Sequence, residues 1–180
     1  FEEKTHSEEI ILNAKEIIKS PGIPDKASII QKAIAKGINI ISEIEFASRY
    51  FDGKIIAITG SNGKTTTTSL IYHILKTANK NVGVAGNIGT SFARQVADGQ
   101  SEVMVLELSS FQLDGIQNFR PNVAVLLNIS PDHLDRYNDD FELYAASKMR
   151  ITKNQTKEDF LIYNIDDPTI CRHLESTKTK

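Results

Sequence analysis

The sequence contains a single cysteine, Cys171, so no disulfide can form within the chain. A reducing, cytoplasmic setting is the simple expectation. No motif surrounds Cys171, which reads as a packed or half-exposed thiol rather than a nucleophile. Charge of one sign is also scarce. Against 21 Lys and Arg stand 23 Asp and Glu, a net charge of −2, which gives no electrostatic footprint for nucleic acid. No apolar run approaches the roughly 20 residues of a membrane span, so no membrane partner is expected. Neither a signal peptide, an internal repeat nor a low-complexity tract is visible. The chain opens Phe1-Glu2-Glu3-Lys4-Thr5-His6, and it reads as a piece of something longer.

What is present is ordinary globular composition. The 180 residues are 40% hydrophobic and 24% charged, enough for one domain or a domain and part of another. Strand and helix patterns alternate. Strands are expected at 15–19, 38–41, 54–59, 82–85, 102–108, 123–129 and 159–164. Helices are expected at 27–36, 43–51, 64–78, 91–97, 140–153 and 168–174. Ser20-Pro21-Gly22-Ile23-Pro24 forces a loop. Near-continuous apolar strands between helices predict an α/β fold, a mostly parallel sheet with helices on both faces. A boundary falls near Asp52-Gly53. In such sheets ligands sit at the carboxyl ends of the strands, so polar residues there invite a functional reading.

The run Gly60-Ser61-Asn62-Gly63-Lys64-Thr65-Thr66 lies between the strand 54–59 and the helix 64–78. Glycines let a backbone curl its N–H groups toward a phosphate, and a helix N-terminus adds its positive end. Lys64 can reach the β- and γ-phosphates of ATP, and the Thr65 hydroxyl can join Mg2+. Two residues separate the glycines here instead of the usual four, so a plain nucleotide-hydrolase reading is not secured. The run Thr65–Thr68 is poor in helix propensity, which suits a functional demand better than a stability demand.

Three further residues invite chemistry. Glu107 lies inside the apolar strand 102–108, where a carboxylate is costly unless it is paired or binds metal; a solvent-facing edge-strand glutamate is the alternative. His133 lies in a polar cluster after the strand 123–129 and reads either as a ligand or as a solvated loop histidine. Lys148 lies one helical turn from Tyr144, and its bland reading is a solvated surface lysine.

Together these pieces resemble the Mur ligase family, ATP-dependent amide-forming enzymes of peptidoglycan precursor synthesis. The family's short loop, Gly-x-x-Gly-Lys-Thr, matches Gly60–Thr65. Gly86-Asn87-Ile88-Gly89, Glu107-Leu108-Ser109-Ser110, Asn128-Ile129-Ser130-Pro131-Asp132-His133-Leu134-Asp135 and Tyr144-x-x-x-Lys148-x-x-Ile151 follow in order. Ser20–Pro24, Ser42-Glu43-Ile44-Glu45 and Phe111-Gln112-Leu113 are most similar to the D-glutamate-adding branch.

The resemblance implies that 1–52 is the last part of a Rossmann-like UDP-binding domain. Residues 53–180 would be a central P-loop ATP-binding domain, incomplete, with the amino-acid-binding domain absent. It implies that Gly60, Ser61, Asn62, Gly63, Lys64, Thr65 and Thr66 hold ATP phosphates. Thr65 and Glu107 would hold one Mg2+, and His133 with a carbamylated Lys148 would serve a second. Lys64, His133 and Lys148 would be catalytic. Asn87, Ser109 and Gln112 would touch the muramoyl substrate, and Gly22 its UDP portion. The implied partners are small molecules (UDP-muramoyl-alanine, D-glutamate and ATP), and the full-length enzyme would be a monomer. Folylpolyglutamate synthesis, a P-loop phosphotransferase and a non-catalytic nucleotide-binding module are the competing readings. The isolated chain is expected not to form the amide bond.

Overall fold

A computed structural model describes residues 7–99 and 101–178, so the expected first unit, 1–52, is described from residue 7. That unit begins with α1 (Glu8–Leu12) and β1 (Glu16–Lys19), then α2 (Ser28–Ala35) and β2 (Asn39–Ser42). β1 and β2 pair in parallel as a separate two-stranded sheet.

α3 (Glu43–Ser48) leads into β3 (Lys54–Thr59), α4 (Lys64–Thr77), β4 (Val82–Gly86), α5 (Phe92–Asp98) and β5 (Val103–Glu107). α6 (Ser110–Asp114), β6 (Val123–Leu126), α7 (Phe141–Met149), β7 (Phe160–Tyr163) and α8 (Pro168–Lys178) complete the order. The five strands from β3 to β7 form one sheet in the order β4-β5-β3-β6-β7, and every neighbouring pair is parallel.

The apolar strands are buried because both faces of this sheet are covered. On one face Ile58, Val82, Val105 and Val125 meet Ile71, Tyr72 and Leu75 of α4. On the other, Ala57, Ala85 and Leu106 pack under Phe92 and Leu113, joined by Ile44, Ala47 and Phe51 from α3 and the segment that follows it. Each such Leu, Ile or Phe contributes about 1.5–3 kcal/mol by leaving water. α3 therefore shares the core of the five-stranded sheet, although it precedes the boundary expected near Asp52-Gly53. A third cluster, including Leu126, Tyr144 and Ile170, seats α7 and α8.

Several elements differ from expectation. α1 and α6 were not anticipated; α6 carries a capping box in which Ser109 and Gln112 bond each other's backbone, the Ser-x-x-Gln pattern of a helix start. The strand expected at 123–129 ends at Leu126. Leu127 N–H still bonds Thr59 O of the neighbouring strand, but Ile129 N–H turns to the Asp167 carboxylate. The helix expected at 140–153 stops at Met149 and closes as a 3-10 turn, Arg150–Thr152. There Arg150 turns its guanidinium onto the carbonyls of Leu113, Asp114 and Ile116.

Candidate active site

β3 delivers the chain to Gly60, and α4 starts at Lys64. The loop between them commits its first amides internally. Ser61 N–H donates to Asn128 O at 2.9 Å, and Asn62 N–H to Asn128 Oδ1 at 2.8 Å. The first helical bond runs from Thr67 N–H to Gly63 O, so the amides of Gly63, Lys64, Thr65 and Thr66 are the ones this helix start leaves for an anion. Lys64 Nζ donates to Gly60 O at 2.8 Å and to Ser61 O at 2.9 Å. Its ammonium thus folds over the cradle a phosphate would enter.

Glu107 is 1% exposed. β5 lies between β4 and β3, which removes the edge-strand alternative. Its Oε2 accepts from Thr65 Oγ1 at 2.7 Å and its Oε1 from Asn87 Nδ2 at 2.9 Å. Gly86 places Asn87 there. It pairs with Glu107 at φ +102°, and an added Cβ would lie 2.2 Å from Glu107 O. Among the described residues no three His, Cys, Asp or Glu side chains cluster as a metal cage. A hydroxyl and one buried carboxylate beside a phosphate cradle do fit Mg2+, which keeps waters and shares its ligands with substrate phosphates.

Lys148 is not a surface lysine: it is 2% exposed. Its Nζ donates to Gly60 O at 2.9 Å and lies 4.7 Å from the Tyr144 ring centroid. Burial, and then the Lys64 charge, hold its ammonium down from 10.5 to about 7. The unfolded chain therefore takes up a proton that the folded chain resists. Stability should be lowest below about pH 7 and rise toward about pH 10.5, by up to about 1.4 kcal/mol per pH unit. Urea unfolding of the parent and a Lys148→Met variant at about pH 6, 8 and 10 checks this. The variant should gain on the parent at low pH, and a difference independent of pH would refute the expectation.

His133 stands apart. Its backbone is left-handed at φ 50°, its side chain is 61% exposed, and its neighbours are Asp132 at 3.7 Å and the Phe111 ring at 5.6 Å. No hydrogen bond or ion pair among the described residues joins it to Glu107, Thr65 or Lys148. Ser109 and Gln112 are bonded to each other in the cap of α6. Gln112 also lines a cavity of about 380 Å³ with Ser20, Pro21, Glu43, Gly86 and Ser91. Of the expected substrate residues only Gln112 lines this space; Asn87 follows its lining residue Gly86, and Gly22 follows Pro21. Burial raises the Glu43 carboxyl above its ordinary range, opposed by the bond it accepts from Ala93 N–H.

Ser130 and Tyr144, assigned no role from sequence, complete the frame around Ser61. Ser61 Oγ donates to Ser130 O, accepts from Ser130 N–H and lies 3.0 Å from Tyr144 Oη. Asn128 and Ser130 fall within a motif whose spacing was visible, but nothing in their types marks them as partners of the loop.

The profile of the Mur ligase middle domain matches residues 58–180. The chain is 63% identical over 172 residues to UDP-N-acetylmuramoylalanine--D-glutamate ligase of Porphyromonas gingivalis, covering 96% of this chain and 38% of that protein. It is 60% identical over 174 residues to the protein of the same name in Bacteroides thetaiotaomicron, covering 97% and 39%. The chain thus spans about two fifths of the length of these curated relatives. The crystal structure of MurF ligase from Thermotoga maritima in complex with ADP shares the fold, with TM-score 0.59, 23% identity, and coverage of 92% of this chain and 49% of that one. The short phosphate loop, its strand-to-helix setting and the matched profile agree: the chain belongs to the Mur ligase family, whose middle domain it carries.

Proposed function

We propose that this chain is the nucleotide-binding part of a ligase that adds D-glutamate to UDP-N-acetylmuramoyl-L-alanine with ATP. The observation that carries the reading is the Thr65–Glu107 pair, 2.7 Å apart at the head of a phosphate cradle. The names of the relatives at 60–63% identity support the choice of substrates. Residues up to 52 would complete a UDP-binding domain, and 53–180 would form most of the ATP-binding one.

A carboxylate is a poor electrophile. In the proposed reaction its oxygen attacks the γ-phosphorus, and ADP leaves. The amine of D-glutamate then attacks the acyl carbon of the resulting acyl phosphate, and inorganic phosphate leaves with the proton lost from nitrogen. Both steps gather negative charge. The Gly63–Thr66 amides and Lys64 would stabilise that charge more in the transition states than in the ground state. Mg2+ bound at Thr65 and Glu107 would supply further charge neutralisation on the phosphates. A second Mg2+ site would draw on His133 and on Lys148 as a carbamate, formed when the neutral amine adds to CO2 and loses a proton. Burial of Lys148 beside Lys64 favours that neutral amine. Asn87, Ser109 and Gln112 would contact the muramoyl group, and Gly22 the UDP portion.

The test is an amino-acid panel with the enzyme that contains this chain. ADP release should require UDP-N-acetylmuramoyl-L-alanine and an amine together, with D-glutamate preferred. Release without any amine would indicate a phosphotransferase, and preference for L-alanine, diaminopimelate or L-lysine would indicate another branch of the family. The 180-residue chain alone should form no amide bond; D-glutamate-dependent ADP release from it would overturn that part of the reading.

A further inference from the structure

The loop has two residues between its glycines, against four in the common phosphate loop. A loop this short has little backbone with which to brace itself. The structure shows what braces it instead. Asn128, just past the end of β6, grips a single loop residue from both sides. Its Oδ1 accepts from Asn62 N–H at 2.8 Å, and its Nδ2 donates to Asn62 O at 3.0 Å. Its backbone carbonyl takes the neighbouring Ser61 N–H at 2.9 Å. Gly60 lies flush against the same segment: an added Cβ would stand 3.0 Å from Leu127 Cβ and 3.3 Å from Asn128 N.

We propose that Asn128 is the positioning residue of this phosphate loop, its carboxamide fixing the Asn62 peptide so that the Gly63–Thr66 amides converge on a polyphosphate. The proposal rests on the nucleotide reading above. A backbone segment held at both its N–H and its C=O cannot swing. The next four amides then inherit a set direction at the start of α4, which is where preorganised donors act on an anion. The role assigned to Asn128 is positioning, because the Oδ1 and Nδ2 of its carboxamide both bond Asn62. An asparagine suits the role because it offers a donor and an acceptor in one plane.

The experiment combines amide exchange by NMR on the 15N-labelled chain with titration by magnesium–ATP and by adenosine. In Asn128→Ala the Asn62 amide should exchange about tenfold faster or more, and ATP affinity should fall about ten- to hundredfold, as expected for two lost hydrogen bonds. Adenosine affinity should not change, because adenosine has no phosphate to reach the loop; a general loss of structure would move both. Asn128→Asp keeps the acceptor and should restore protection of the Asn62 amide. Unchanged Asn62 exchange in Asn128→Ala overturns the proposal, and so does faster exchange with unaltered ATP affinity. Should Asn128→Ala not fold, Asn128→Ser decides by the same readouts. If the unaltered chain does not bind magnesium–ATP, the nucleotide reading fails, and Asn62 exchange alone decides whether Asn128 holds the loop.

Discussion

Lys64→Met is expected to weaken magnesium–ATP binding to this chain about a hundredfold or more, while the melting temperature moves by only a few degrees. The two effects separate because of where the ammonium lies. Lys64 Nζ bonds two carbonyls, Gly60 O and Ser61 O, on a partly exposed loop. Losing those bonds costs little when water can replace them. A triphosphate changes the balance: it brings several negative charges to a helix start that offers only about half a positive charge. Lys64 is the cation at that helix start, on a four-carbon stem long enough to reach them. A second readout tests the same geometry. Lys64 and Lys148 both donate to Gly60 O, and the Lys64 charge helps hold the Lys148 ammonium down. Without Lys64, Lys148 should bind its proton more tightly, and the rise of stability with pH should begin at higher pH. Calorimetric titration and urea unfolding across pH measure the two effects. Parent-like ATP affinity in Lys64→Met would remove Lys64 from the phosphate site.

Much of this architecture is written in local pattern. Runs such as Ile55–Thr59 and Val103–Glu107 are too apolar for a half-wet sheet, and they do lie in the interior of a parallel one. The strand-to-helix turn at Gly60–Thr65 is legible because strand, glycines, Lys-Thr and helix follow one another in sequence. Glu107 was legible as a carboxylate out of place. What escaped the sequence depends on contacts between distant segments. The strand order β4-β5-β3-β6-β7 is set by packing, not by any single run of residues. From residue type alone Lys148 has a solvated reading, since a lysine on a helix usually is solvated, and only the family resemblance gives it a role; α7 buries Ser147 and Lys148 and exposes Leu143. That inversion makes polarity on this helix a misleading guide. α6 has no expectation in the sequence, since five residues are too few to show a helical period. The grip of Asn128 on Asn62 spans 66 positions, and no short-range pattern carries that information.

The largest loss of stability is expected from Glu45→Ala, about 3–5 kcal/mol. Glu45 is 0% exposed. Its Oε2 accepts from the consecutive amides of Gln117, Asn118 and Phe119 at 2.9, 3.0 and 2.9 Å. Its Oε1 has the Arg49 guanidinium at 3.7 Å. Truncation removes the acceptor and leaves three donors around the void, the costly case for buried polar groups. Arg49 adds little to the cost, because it keeps its paired contact with Glu16 at 2.7 and 3.0 Å. Glu45→Gln should lose less, about 1–2 kcal/mol, since an amide oxygen still accepts but without the charge. Urea unfolding of the three chains gives the comparison, and a loss below about 1 kcal/mol in Glu45→Ala would show that water or the backbone replaces the carboxylate. The consequence reaches the site. The carbonyl side of the same loop is held by Arg150, which bonds Leu113, Asp114 and Ile116, and by Asn154, which bonds Gln117 and Phe119. Glu45 on α3 and Arg150 just beyond Lys148 therefore fix one segment from opposite sides, and that segment follows directly from the helix that carries Gln112. Removing Glu45 should loosen α6 and the Arg150 turn together, so faster amide exchange at 113–119 should accompany the loss of stability.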